Sequence, residues 1–328
     1  MDVERIFNSE TTEYVASEAR KTTPCGRFLL TLDHFAKFSV TLLIECLWIL
    51  WDFVRCYPKR KDLSGQVALV TGGANGLGRE ICLRLAWEKC KIAVVDINLE
   101  CAEKTVRDLH EMGAEAKAYK ADVADFEAMK RIRQEVLVDF GSVDILVNNA
   151  GFLALLTLNR ATPEQIERMV AVNVTSVVMI TKLFLEDMIR QDRGHIVAIS
   201  SPFGLSPTSH TMYGMTLYAI RGFMTCLNQE LIMKGWQNKI KTTCAFPYYI
   251  ATRKELTDYT ECLNLQGKFV LISPTEAAEA IVKGIQFNMR NLTIPAGFYM
   301  PMTVLGIFTP RIIRRFYQLA HGWSSNFP

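Results

Sequence analysis

The 328-residue chain lacks the marks of several common protein classes. Its nine cysteines show no CxxC or CxxH spacing, so neither a zinc or other metal site nor a disulfide framework is indicated. Scattered thiols of this kind fit a reducing compartment. A formal net charge of +3, without a basic stripe, leaves nothing for nucleic acid to bind. There is no internal repeat and no low-complexity linker. No apolar core near the start is followed by a small-residue cleavage site, so no secretory signal is expected.

What is present is ordinary globular material, 49% apolar and 22% charged, enough for a sizeable core. Residues 1–27 are polar and read as a tail. From Phe38 to Val54 runs FSVTLLIECLWILWDFV, inside a hydrophobic segment (28–61) that closes on the basic cluster Arg55 and Pro58-Lys-Arg-Lys61. As a helix these residues extend ~25 Å, short of a ~30 Å hydrocarbon core. Glu45 and Asp52, seven apart, fall on one helical face, and an acid at the bilayer centre costs ~2.5–3.5 kcal/mol. An interfacial or hairpin anchor therefore fits better than a span, with Trp48 and Trp51 at the headgroups and the basic cluster beside anionic lipid. The plainer alternative is an amphipathic helix packed on the domain or a partner. The flanking basic residues would keep the rest of the chain on the cytoplasmic side.

From residue 62 to about 290 the pattern alternates between strands and helices. QVALVTGG, KIAVVDIN, AKAYKADV, VDILVNNAG, GHIVAISS and IKTTCAFP are strand-like runs, with room for helices between them. Thr162-Pro-Glu-Gln165 reads as a capping box, and Ser273-Pro-Thr-Glu276 repeats it. This alternation predicts an α/β fold, one doubly wound parallel sheet with helices on both faces. Residues 291–328 are apolar and aromatic, with Arg311, Arg314 and Arg315 together, and read either as a cap on the site or as a second membrane contact.

TGGANGLG, Thr71 to Gly78, lies between the first strand and the first helix. Glycine at 72, 76 and 78 permits a tight turn and close approach to a pyrophosphate at a helix N-terminus. Asp96 ends the second strand about twenty residues on. A carboxylate there can take the adenosine ribose hydroxyls and repels a 2′-phosphate, and no cation beside it offers relief. NAD(H) is expected over NADP(H).

These motifs, followed by Asp122-Val123, NNAG at 148–151 and Asn173, resemble the short-chain dehydrogenase/reductase family over about 230 residues. PKRKDLSG, VVDIN, GHIV and KTTCAFPYYIAT narrow the resemblance to the branch of lipid-droplet and endoplasmic-reticulum 17β-hydroxysteroid dehydrogenases and epidermal retinol dehydrogenases. The resemblance implies the following roles. Gly72, Asn75, Gly76, Leu77 and Gly78 cradle the pyrophosphate. Asp122 and Val123 meet the adenine, while Asn149, Ala150 and Gly151 form the floor beneath the adenosine half. Thr252, five residues after Pro247, holds the nicotinamide amide, with Tyr248 standing where the family usually has glycine. Asn173 kinks its helix and holds a relay water. Ser201 binds the substrate oxygen, and Tyr213 exchanges its proton.

The family's lysine four residues after that tyrosine is missing, and Leu217 stands there. At ~5 Å and an effective dielectric near 20, one positive charge favours phenolate by ~3 kcal/mol, about two pKa units. The resemblance thus implies a lipophilic alcohol or carbonyl substrate at an endoplasmic-reticulum or lipid-droplet membrane, turned over slowly. The alternative is an inactive protein that binds NAD(H) or lipid without turnover. Oligomeric state stays open; the family usually pairs through helices around 124–139 and 163–191.

Overall fold

The computed structural model describes residues 39–40, 60–154, 157–208, 210–250 and 271–307. The chain divides into two units, Met1–Lys59 and Arg60–Pro328. The polar tail, the anchor segment apart from Ser39, Val40, Arg60 and Lys61, and the last 21 residues lie outside the described residues.

In the second unit all six expected strand runs form: β1 (Val67–Thr71), β2 (Lys91–Asp96), β3 (Ala116–Lys120), β4 (Ile145–Asn148), β5 (Gly194–Ile199) and β6 (Ile240–Pro247). A seventh, β7 (Asn291–Ile294), forms at the sheet edge outside the six expected runs. The sheet order is β3-β2-β1-β4-β5-β6-β7, every neighbouring pair parallel. The inner strands β1, β2 and β4 are buried on both faces, which explains their apolar, β-branched runs, whereas edge strand β3 buries only Tyr119. Alternate residues serve opposite cores: Ala68 and Val70 face one, Leu69 the other.

On the first face lie α1 (Gly76–Trp87), α2 (Leu99–Glu111) and α7 (Pro274–Gln286), which bury Ile81, Leu85, Leu109, Ile281 and Ile285. On the second lie α3 (Phe126–Phe140), α5 (Ser176–Arg190) and α6 (Thr211–Met233). The capping box starts α4 (Pro163–Val170), with Thr162 and Gln165 each bonding the other's backbone N–H. Ser273 caps α7 through the Glu276 N–H. A last helix, α8 (Tyr299–Ile307), lays Tyr299 and Met302 on the second core.

Among the described residues, only the run Pro163–Arg190 is long and apolar enough to cross a membrane. Its Val172, Val177, Ile180, Phe184 and Met188 are buried in the second core, so it is a core helix of the domain. Between α4 and α5 it passes through a π-helical turn, Ala171–Thr175, centred on Asn173. An inserted residue of this kind re-aims the side chains it carries, and π-bulges often mark functional sites.

Beside β5 and β6 the start of the domain is clamped. The Lys61 N–H donates to the Gln286 carbonyl, and its ammonium lies 2.8 Å from His195 Nδ1. His195 Nε2 meets the Thr243 hydroxyl at 2.8 Å, and that hydroxyl donates to the Met289 carbonyl. Directionality makes Lys61 the donor to Nδ1, so the imidazole carries its proton on Nε2. Burial, then the neighbouring Lys241 charge, lowers the Lys61 pKa to about 8.

Candidate active site

One cleft of about 470 Å³ opens beyond the C-terminal ends of the strands, where parallel α/β sheets hold their ligands. The glycine-rich turn forms one wall. Gly72 and Gly76 have φ of +65° and +56°, a left-handed backbone that favours glycine. A Cβ on Gly78 would collide with the Gly72 carbonyl oxygen. The turn is pinned from β4: Asn149 Nδ2 donates to the Thr71 and Gly72 carbonyls, and Thr71 Oγ1 accepts from the Asn149 and Ala150 N–H groups. Asn75 opens α1 without a side-chain cap, so the first-turn amides and the helix dipole remain for an anion. A left-handed backbone, no room for side chains and an uncapped helix start suit the pyrophosphate of a nicotinamide dinucleotide. These residues fit that group.

Three charged side chains line the next part of the cleft. Asp96 ends β2 and accepts from the Ala74 and Asn98 N–H groups at 3.1 and 3.0 Å, which fixes its carboxylate in orientation. Asp122, beyond β3, accepts from the Ala124 N–H and pairs with the Arg168 guanidinium at 2.8 Å. Burial alone would raise the Asp122 pKa, but the Arg168 bond, the Ala124 N–H and the guanidinium charge together hold it below the usual carboxylate range. Val123 beside it is buried.

At the other end stand Asn173, Ser201, Tyr213 and Leu217. The Asn173 side chain ties two elements together. Its Oδ1 accepts from the Phe152 N–H at 2.7 Å, and its Nδ2 donates to the Phe152 carbonyl and to Thr216 Oγ1. Thr216 in turn donates to the Tyr213 carbonyl at 2.8 Å, so hydrogen bonds tie the π-helical turn to the first turn of α6. Ser201 Oγ accepts from the Phe203 N–H at 3.4 Å, leaving its own hydrogen to donate elsewhere. Neighbouring Ser200 donates to the Leu217 carbonyl and is buried. Leu217 is 5% exposed. Arg221, one turn further on, donates to the Gly204 carbonyl and lies over the Tyr299 ring, and it does not line the cleft. Phe152, Leu153, Phe203 and Tyr249 give this end an apolar wall, with Tyr249 edge-on to both Phe203 and Tyr248.

Of the residues expected from the sequence, Gly72, Asn75, Gly76, Leu77, Gly78, Asp96, Asp122, Val123, Asn149, Ala150, Gly151, Asn173, Ser201, Tyr213 and Pro247 all line this one cleft. Thr252 lies outside the described residues. The sequence reading missed Arg168, Thr216 and His210, which also line it. Spacing offered a signal for two of them, since Thr216 and His210 stand three residues either side of Tyr213. Among the described residues no cluster of metal-ligating side chains occurs.

Comparison with known proteins agrees with this architecture. The profile described as short chain dehydrogenase matches residues 66–260. Epidermal retinol dehydrogenase 2 of Homo sapiens is 33% identical over 248 residues, covering 75% of this chain and 79% of that protein. Estradiol 17-beta-dehydrogenase 11 of Mus musculus is 30% identical over 294 residues, 89% of this chain and 94% of the relative. Among solved structures, a short chain dehydrogenase/reductase from Burkholderia phymatum in complex with NAD superimposes with a TM-score of 0.68. It is 20% identical and covers 82% of this chain and 99% of that one, a likeness of fold.

Proposed function

This chain belongs to the short-chain dehydrogenase family of NAD(P)-dependent oxidoreductases acting on CH–OH groups, and from that premise we propose a membrane-associated enzyme for lipophilic alcohols or carbonyls, slowed by Leu217. The observation that carries the proposal is the convergence of Asn173, Ser201 and Tyr213 on the cleft that holds the glycine-rich turn.

When bound, the nicotinamide cofactor supplies the acceptor or donor of hydride. The chain's own residues handle orientation and the proton. The Ser201 hydroxyl donates to the substrate oxygen, and Tyr213 Oη takes or gives that oxygen's proton as it changes between alcohol and carbonyl. Asn173 holds the Phe152 backbone and, through Thr216, the start of α6, which sets where Tyr213 stands. Leu217 brings no charge to stabilise a phenolate and no donor for the polar groups that a lysine would serve. A loss of ~3–5 kcal/mol in the transition state slows the step by ~10²–10⁴.

The aromatic and aliphatic wall supports a greasy substrate, of the retinoid, sterol or fatty-alcohol class. The names of the retinol and estradiol dehydrogenase relatives point the same way. The apolar stretch 38–54 with its basic flank supports an endoplasmic-reticulum or lipid-droplet surface, with the domain on the cytoplasmic side. The Asp96 carboxylate supports NAD(H) over NADP(H). A homodimer through helices of the second face is in keeping with the family.

The test is product formation by the detergent-solubilised full chain with NAD and a panel of retinoid, sterol and fatty alcohols. Turnover that Tyr213→Phe abolishes is expected. The leucine at 217 favours one other reading, a protein that binds NAD(H) or lipid without turnover. Activity confined to Leu217→Lys would establish that reading.

A further inference from the structure

A neutral tyrosine accepts a substrate proton only if its own proton leaves at the same time, or has already left. A lysine charge favours the second course, and Leu217 forgoes it. The first needs a proton acceptor one turn away from Tyr213. Arg221 is turned to the Gly204 carbonyl and the Tyr299 ring. Arg168 is held on Asp122, and a guanidinium does not give up its proton in any case. The remaining ionisable side chains of the cleft are acids beyond β2 and β3, the tyrosines after β6, and His210.

His210 opens α6 three residues before Tyr213, on the turn that the Gly214 N–H closes by donating to the His210 carbonyl. It lines the same cleft as Ser201, Tyr213 and Leu217, and it is 8% exposed. His210 precedes the first turn of α6 with non-helical backbone (φ −87°, ψ 79°), and it and Tyr213 line one cleft. Burial lowers the His210 pKa, with no charged neighbour among its causes. The neutral imidazole that burial favours offers a ring-nitrogen lone pair to a proton, which a protonated phenol does not. It supplies no standing charge, so it replaces the lysine's part in proton transfer and not its electrostatic part.

We propose that His210 exchanges a proton with Tyr213 and so sustains catalysis in the absence of the lysine. In oxidation the hydride leaves the carbinol carbon for the oxidised nicotinamide cofactor, and the alcohol O–H proton passes to Tyr213 Oη. The proton already on Tyr213 moves to an imidazole nitrogen of His210 and from there to solvent. The products are the carbonyl compound, the reduced cofactor and one released proton, and reduction runs the same steps backwards. This rests on the oxidoreductase reading above.

The experiment is a double-mutant cycle on the full chain, with His210→Phe made in the natural background and in Leu217→Lys, and rates followed from pH 5 to 10. His210→Phe is expected to lower the natural protein's rate by about 10²-fold. The low-pH limb set by His210 should go with it. In the Leu217→Lys background the same change should cost less than about threefold, because a lysine makes the acceptor redundant. A purely structural role would cost both backgrounds alike. Imidazole added to His210→Ala should restore part of the rate in proportion to its unprotonated form. A readout independent of turnover is the imidazole nitrogen NMR signal of His210 in cofactor-free protein, which Tyr213→Phe should move. Equal losses in both backgrounds, or an unmoved signal, overturn the proposal and leave the enzyme reading intact. Absence of turnover in the natural protein overturns both.

Discussion

At the scale of single residues, the proposed function turns on two side chains: Leu217 by what it cannot do, and Asp96 by where it is held. Asp96 accepts two backbone N–H groups, so its carboxylate cannot swing away from an incoming 2′-phosphate. Replacing it by serine keeps a hydroxyl for the ribose and removes the repulsion, about 1–4 kcal/mol at short range. Asp96→Ser should therefore shift the ratio of NADP to NAD binding roughly tenfold or more towards NADP, measured by fluorescence titration with each reduced cofactor. An unchanged ratio would remove Asp96 as the selecting group. Asp96 was legible in the sequence because the distance from the glycine-rich turn fixes its place at the end of β2. Arg168 was not, since its contact with Asp122 joins residues 46 apart and only the fold brings them together.

At the scale of elements, the same division holds. Strands β1 to β6, the Thr162 capping box and the turn of TGGANGLG all follow from local pattern. The π-helical turn at Asn173 and the edge strand β7 depend on tertiary pairing and leave little local trace. The clamp of Lys61, His195 and Thr243 is likewise invisible in sequence, because it joins the entry to β1 with β5 and β6. It has a pH signature. The unfolded chain keeps the Lys61 proton up to the ordinary value of 10.5, while the folded protein releases it at about 8. Between those values the unfolded chain binds more protons, so the folded state gains stability as pH rises. The stability difference between the natural protein and Lys61→Met, from urea unfolding, should grow in favour of the natural protein by up to roughly 3 kcal/mol from pH 8 to 10.5. A flat difference would mean that Lys61 titrates normally.

At the scale of the whole molecule, the chain joins an apolar, basic-flanked segment to a domain whose cleft has an apolar end. The two belong together if the substrate is drawn from lipid. The full chain should float with vesicles containing anionic lipid, and a chain beginning at Arg60 should stay in the aqueous fraction. Equal flotation of both would place membrane contact elsewhere, for example in residues 308–328.

The most direct test of the account is the rate of NAD-dependent alcohol oxidation by the full chain, measured across pH for the natural protein and for Leu217→Lys. We predict slow turnover by the natural protein, rising with pH, and an increase of ~10²–10⁴ at neutral pH when the lysine is restored. A Leu217→Lys enzyme no faster than the natural one would contradict the claim that the missing charge limits this site.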